Sequence, residues 1–384
     1  MIFACGDKYR YLAILQTMNL NFLQRKLDER VDKGNIRSLK TNDLLADFVS
    51  NDYLGLSGNA ELARIIHKRC GDEHVPNGGT GSRLLSGNHR WYPEVEEDLI
   101  GVLKAESVLL FNSGYAANQA LVSAVAESGD TILYDQLSHV CLKEGAWLSR
   151  AETTAFRHND LEDLEARLKR VTGRCFVLTE TIFSMDGDVA PIREMIELCE
   201  KYDAYLIVDE AHSTGCYGSG GGGLLIEQEL QGRVFARVYT FGKGMGVHGA
   251  CVAGPKVLTD FLINFGRPFI YTTSLPPHSV IAIAESFHFL YNHLFLQQDL
   301  QSKIALFRKH WPNSVSETAI QPILIGSNER AREISNELQE SGLDVRPILS
   351  PTVKSGTERL RISLHVHNSD EEIRFLAEKL LALC

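Results

Sequence analysis

Between residues 107 and 253 short apolar runs recur, each ending in polar or acidic residues. They are Ser107–Phe111, Thr131–Tyr134, Cys175–Thr179, Ala204–Val208, Val238–Phe241 and Ala250–Ala253. Stretches of helical period separate them. Leu161, Leu164 and Leu168 fall on one face, and so do Ile192, Met195, Ile196 and Cys199. A strand buried on both faces reads as a continuous apolar run, whereas a helix covering it reads as a stripe of period 3.6. The alternation therefore predicts an α/β domain with a mostly parallel sheet.

The rhythm changes further on. A strand at Gln321–Ile325 leads to a helix with Ala331, Ile334 and Leu338 on one face, stopped by Gly342. Two strands follow, around Leu343–Ile348 and Arg359–Leu364. The last helix opens with a capping box, Ser369 and Glu372. This predicts a smaller C-terminal α+β domain. The expected division is an N-terminal extension and helical segment over 1–60, a large domain over 61–275 and the small domain over 276–384. Met18 precedes a polar helical run, Asn21 to Val31, so residues 1–17 read as a dispensable extension.

Composition narrows the class. The 384 residues are 44% hydrophobic and 23% charged, which is globular and not disordered. A net charge of −10 disfavours nonspecific binding to nucleic acid or an anionic membrane. No apolar stretch approaches the ~18 residues of a membrane span. The N-terminus carries charges inside its apolar stretch and makes a poor signal peptide. The eight cysteines include no Cys-x-x-Cys pair, which argues against a zinc site, and no metal is expected. They read as reduced thiols of a cytoplasmic protein.

Gly218, Gly220 and Gly223 match G-x-G-x-x-G but follow a turn instead of a strand. They are expected to form a flexible surface loop, and a nicotinamide dehydrogenase is disfavoured.

In open α/β sheets ligands sit beyond the carboxyl ends of the strands. Those ends carry Asn112-Ser113-Gly114-Tyr115, Ser138-His139, Glu180 with Ser184, Asp209-Glu210-Ala211-His212, and Gly242-Lys243-Gly244. Singly, each has a bland reading: an exposed lysine, a turn-forming aspartate, a structural histidine, a helix cap. Together they suit pyridoxal 5'-phosphate. Lys243 would bond its aldehyde, and the flanking glycines would let a ligand approach. Asp209 would pair with the pyridine nitrogen and His212 would reach the phenolic oxygen edge. His139 would stack on the ring, and the helix N-terminus after Ser113-Gly114 would hold the phosphate.

These residues resemble the α-oxoamine synthases, pyridoxal-phosphate enzymes of the aspartate-aminotransferase fold (fold type I). The resemblance runs from about Asn51 to Arg361. It includes Asn51-Asp52-Tyr53-Leu54-Gly55-Leu56, Gly79-Thr80-Gly81-Ser82-Arg83-Leu84, Phe183-Ser184-Met185-Asp186-Gly187-Asp188, Thr240-Phe241-Gly242-Lys243-Gly244 and Arg359-Leu360-Arg361. Tyr271-Thr272-Thr273-Ser274-Leu275-Pro276-Pro277 and Pro351-Thr352-Val353 look most like the members that condense L-alanine with a pimeloyl thioester in biotin synthesis. The sister reactions condense glycine or serine with other acyl thioesters, and a dead binding module is the remaining alternative.

The resemblance implies catalytic roles for Lys243, His139, Asp209 and His212. It implies that Gly114, Tyr115, Ser184 and Thr240 help hold the cofactor, and that Thr273 and Ser274 reach the phosphate of a neighbouring subunit in a homodimer. Arg361 would clamp the amino-acid carboxylate. Alternation along its strand puts Arg359, Arg361 and Ser363 on one face, and the bland reading there is a solvated strand face. Arg37 and Thr352 are candidates for acyl-substrate contacts. The thiol carrier, coenzyme A or a carrier protein, stays open. One departure is Tyr92, where the family usually carries histidine.

Overall fold

The computed structural model describes residues 19–37, 39 and 45–384, so the expectation for residues 1–17 lies outside it. The strands, in chain order, are β1 (Ala46–Asp47), β2 (Ser107–Phe111), β3 (Thr131–Asp135), β4 (Glu152–Phe156), β5 (Cys175–Glu180), β6 (Ala204–Asp209), β7 (Ala236–Thr240), β8 (Ala250–Gly254), β9 (Ile320–Leu324), β10 (Leu343–Asp344), β11 (Arg346–Ile348) and β12 (Arg359–Ser363). Seven of them form one sheet in the order β2-β8-β7-β6-β5-β3-β4. β8 is antiparallel to both neighbours, and the other pairs are parallel. The six apolar runs all form strands of this sheet. β4 has no such run: it lies at one edge of the sheet and only its Phe156 is buried, whereas β2 at the other edge is buried throughout.

Apolar side chains on both faces explain the continuous runs. Ile207 and Val238 join one core cluster, while Leu206 and Val208 join another. The helices Leu161–Leu168 and Ile192–Lys201 bury the predicted stripes, including Leu164, Leu168, Met195, Ile196 and Cys199.

The C-terminal region forms a three-stranded sheet in the order β11-β12-β9. The single strand expected at Leu343–Ile348 is two. β10 pairs in parallel with β1, and β11 pairs with β12. The chain changes sheets at Val345, which is fully buried and joins the core. The capping box at Ser369 and Glu372 forms as expected. The helix Asn21–Asp32 also forms, with no buried residue.

Two connections matter for the site. The Ser363 N–H donates to the Phe48 carbonyl and the Val366 N–H to the Tyr53 carbonyl. Residues 48–53 are thereby laid along β12. The glycine tract corrects an expectation, because Gly220 to Gly223 are buried. Gly223 packs against the Glu210 carboxylate, which accepts the N–H groups of Leu224 and Leu225 at 3.1 and 2.9 Å. A Cβ on Gly223 would come within 2.7 Å of that carboxylate, and its φ of +88° is a glycine conformation. The tract is packed against a buried side chain.

Candidate active site

β5 and β6 run side by side with Glu180 opposite Asp209, so two carboxylates stand together at the strand ends. Both are buried. Asp209 accepts from Asn118 Nδ2 at 2.7 Å and from the Ala211 N–H at 2.8 Å. These two donors hold it as a fixed acceptor. Burial, with the Asp209 charge beside it, pushes the Glu180 carboxyl up to about 8. Lys243 follows β7 and reaches the same place. Burial holds its amine below the ordinary lysine value, against the pull of Asp209 and Glu180. Gly244 serves the fold here more than a ligand, since a Cβ on it would meet the Thr214 carbonyl at 2.5 Å; a Cβ on Gly242 would make only ordinary contact, with the Val247 carbonyl at 3.8 Å.

Ser113 caps the helix Gly114–Val125, accepting from the Ala116 N–H at 3.2 Å. A Cβ on Gly114 would meet Thr240 Oγ1 at 2.2 Å, so glycine lets the helix N-terminus close on the end of β7. Asn118 lies one turn along, on the same face. Ser113, Gly114, Tyr115, Asn118, His139, Cys141, Glu180, Asp209, His212, Thr240 and Lys243 line one cavity of about 220 Å³.

A second cavity, of about 300 Å³, shares His139, His212 and Lys243 and adds Asn51, Ser184, Arg346 and Arg361. His212 Nδ1 meets the Tyr53 hydroxyl at 2.7 Å. Burial, then the Lys243 and Arg361 charges, hold its imidazole well below the usual value. The partners of Arg361 are all neutral acceptors. It donates to the Ser184 carbonyl at 2.6 Å, Ser363 Oγ at 2.8 Å and Asn51 Oδ1 at 2.9 Å. Among the described residues it has no acidic partner, whereas Arg359 on the same strand pairs with Asp186. Neither face of β12 is solvated.

The structure thus brings together Lys243, Asp209, His212, His139, Gly114, Tyr115, Ser184, Thr240 and Arg361. The other four candidates do not line either cavity. Arg37 and Thr352 are exposed. Thr273 is also exposed, with its carbonyl accepting from Asn112 Nδ2 at 2.7 Å beside the helix N-terminus. Ser274 is buried, and a Cβ on Gly79 or Gly87 would lie 2.3 Å from its Oγ. Tyr92, the departure from the family pattern, is also buried. Its hydroxyl accepts the Leu275 N–H at 2.9 Å and so anchors the segment that follows Thr273.

Sequence reasoning gave no role to Asn118, Cys141, Glu180, Asn51 or Tyr53. Asn118 had a signal, its four-residue spacing from Gly114. The donor set fits pyridoxal phosphate: an amine, a fixed carboxylate at the end of the neighbouring strand, an imidazole and a capped helix N-terminus around one cavity. No helix of the described residues is long and apolar enough to cross a membrane.

Residues 45–380 match the family model for aminotransferase class I and II. An 8-amino-7-oxononanoate synthase of Methylobacillus flagellatus is 38% identical over 379 residues, covering 94% of this chain and 95% of its own length. One from Marinobacter nauticus is 38% identical over 335 residues, covering 86% and 84%. Among solved structures, a serine palmitoyltransferase of S. paucimobilis with bound PLP is similar with a TM-score of 0.85 at 26% identity, covering 95% of this chain and 98% of that one. An 8-amino-7-oxononanoate synthase of Francisella tularensis has a TM-score of 0.75 at 27% identity, covering 88% and 97%.

Proposed function

Since the chain belongs to the aminotransferase class I and II family, and within it to the pyridoxal-phosphate-dependent α-oxoamine synthases, we propose that it condenses L-alanine with a pimeloyl thioester, with loss of CO₂, to give 8-amino-7-oxononanoate for biotin synthesis. The names of the relatives at 38% identity support this choice of substrates. The observation that carries an amino-acid substrate is Arg361, a cation beside Lys243 with only neutral partners. A carboxylate is the ligand that such a guanidinium lacks.

Pyridoxal phosphate, when bound, supplies an electron sink for the charge left at the substrate Cα. The residues of the chain do the rest. Asp209 keeps a proton on the pyridine nitrogen, and Asn118 and the Ala211 N–H keep Asp209 in place. His212 addresses the phenolic oxygen, steadied by Tyr53. The helix N-terminus at Gly114, with Thr240 beside it, receives the phosphate. Lys243, whose amine burial holds below the ordinary lysine value, takes the Cα proton and later returns one. Arg361 fixes the carboxylate that is lost as CO₂. His139 covers one face of the ring.

The expected assembly is a homodimer whose second subunit closes the site. Leu137 and Val140 flank His139 and are exposed, as are Leu85, Trp147 and Tyr271. Exposed apolar residues in such number need a cover. A thiol-release assay across alanine, glycine and serine, each with pimeloyl, acetyl and long-chain acyl thioesters, tests the function. Alanine with the pimeloyl thioester should turn over fastest. Serine with a long-chain thioester as the best pair would overturn the reading and favour the palmitoyltransferase-like alternative.

A further inference from the structure

His139 caps the helix Val140–Leu148, and its Nδ1 accepts the Cys141 N–H at 3.3 Å. A backbone amide can only donate, so that Nδ1 carries no proton. A neutral imidazole then holds its proton on Nε2. The Cys141 thiol lies 2.9 Å from the same Nδ1. Because the nitrogen is an acceptor, the S–H is the donor. Burial pushes this thiol above its ordinary value, so the proton it donates stays on sulfur.

The sulfur is approached from its other side. Asn118 Nδ2 lies 3.3 Å from Cys141 Sγ and 2.7 Å from Asp209 Oδ2. Its two hydrogens thus serve one partner each. Turning the amide over would set Oδ1 against the Asp209 carboxylate, so Asp209 fixes its orientation. Cys141 and Asn118 are both buried and both line the cavity of Lys243. The result is a continuous chain from Asp209 through Asn118 and Cys141 to His139.

We propose that Cys141 is a positioning residue whose backbone N–H and thiol together hold His139 as the Nε2–H tautomer, and whose thiol, backed by Asn118, ties the ring's orientation to the Asp209 carboxylate. The inference rests on the reading of this cavity as the cofactor site. Its consequence is chemical. His139 offers the cavity a hydrogen-bond donor, on the side of the ring away from the helix, and does not offer an acceptor. Among the described residues Nε2 has no protein partner of its own, so the donor is free for what the cavity binds.

The test compares wild type with Cys141→Ala, Cys141→Ser and Asn118→Ala, with and without added pyridoxal phosphate. The infrared difference between wild type and Cys141→Ala isolates one S–H stretching band from those of the other thiols. The band should be broadened and shifted to low frequency, and it should move in Asn118→Ala. Long-range ¹⁵N–¹H correlation on histidine-labelled protein, assigned with His139→Gln, should show the proton on Nε2. In turnover, Cys141→Ser should stay near wild type because a hydroxyl also donates. Cys141→Ala should lose about fivefold in kcat, the worth of one neutral hydrogen bond, with KM for the thioester unchanged. A band typical of an unbonded thiol, a proton on Nδ1, or an alanine variant as fast as the serine variant would each overturn the proposal. If the band and tautomer are as stated but wild type binds no cofactor, the functional reading fails and the tautomer lock stands.

Discussion

Arg361 shows what one residue gains from distant parts of the chain. Its partners Asn51 and Ser184 lie 310 and 177 positions away, so no local pattern could reveal how it is held. The sequence showed that an arginine stood on a strand. It did not show that both faces of that strand are covered, which is what makes the uncompensated charge meaningful. Arg361→Met should raise KM for the amino acid about 10- to 100-fold, as expected for a charge-assisted hydrogen bond worth ~1.5–3 kcal/mol. Saturation kinetics with alanine checks this, and an unchanged KM would remove the carboxylate from Arg361. Lys243→Ala should abolish thiol release, since the described cavity walls hold no second amine to take the Cα proton. Asp209, His212 and Lys243 were legible because each lies within four residues of the end of an apolar run. Asn118 and Cys141 were not, because a buried polar residue inside a helix looks like any other until its partner is seen.

Elements carry the stability of the site. His158 follows β4 and joins a strand end to a loop, with Nδ1 at 2.9 Å from Asp135, the last residue of β3, and Nε2 at 2.6 Å from Asp188 in the segment beyond β5. Burial opposes its charge, but the hydrogen bonds to Asp135 and Asp188 outweigh this and push the imidazole up to about 9. The folded value lies above the unfolded one, so the stabilisation is complete below about pH 6.5 and is lost as pH rises through about 9. Its size is ~3 kcal/mol at most. Thermal unfolding of wild type should therefore weaken, relative to His158→Gln, across that window. Parallel pH profiles for the two proteins would contradict the clamp. Tyr92 acts between elements too. Tyr92→Phe leaves the Leu275 N–H buried without its acceptor and should cost about 1–3 kcal/mol in denaturant unfolding. The sheet strands were legible because burial on both faces writes an apolar run. The edge strand β4 and the sheet change at Val345 were not, since an open edge and a two-residue strand leave no such run.

At the scale of the whole molecule, the proposed homodimer makes its own predictions. Leu85 is 84% exposed and Tyr271 76%, large apolar side chains that a partner subunit would cover in the proposed dimer. Thr273 is exposed as well, although its backbone is fixed beside the helix N-terminus. A hydroxyl so placed faces outward, which suits a donor to a neighbouring subunit, and closed two-fold dimers are the commonest assemblies. Sedimentation should give about twice 42.8 kDa. Two mixing experiments then separate a shared site from a private one. Lys243 and Arg361 line one cavity of one chain, so Lys243→Ala mixed with Arg361→Met leaves every site with one lesion, and at alanine well below the raised KM the mixture should not exceed the activity of its Arg361→Met chains. Thr273→Glu sets a negative charge where a phosphate oxygen is expected and should inactivate the neighbour's site. Mixed with Lys243→Ala, it produces hybrids in which one site has both lesions and the other has none. Partial activity should therefore return in this mixture alone, provided the subunits exchange. A fully active monomer, or no recovery after exchange is shown by labelled chains, would place Thr273 outside the catalytic assembly.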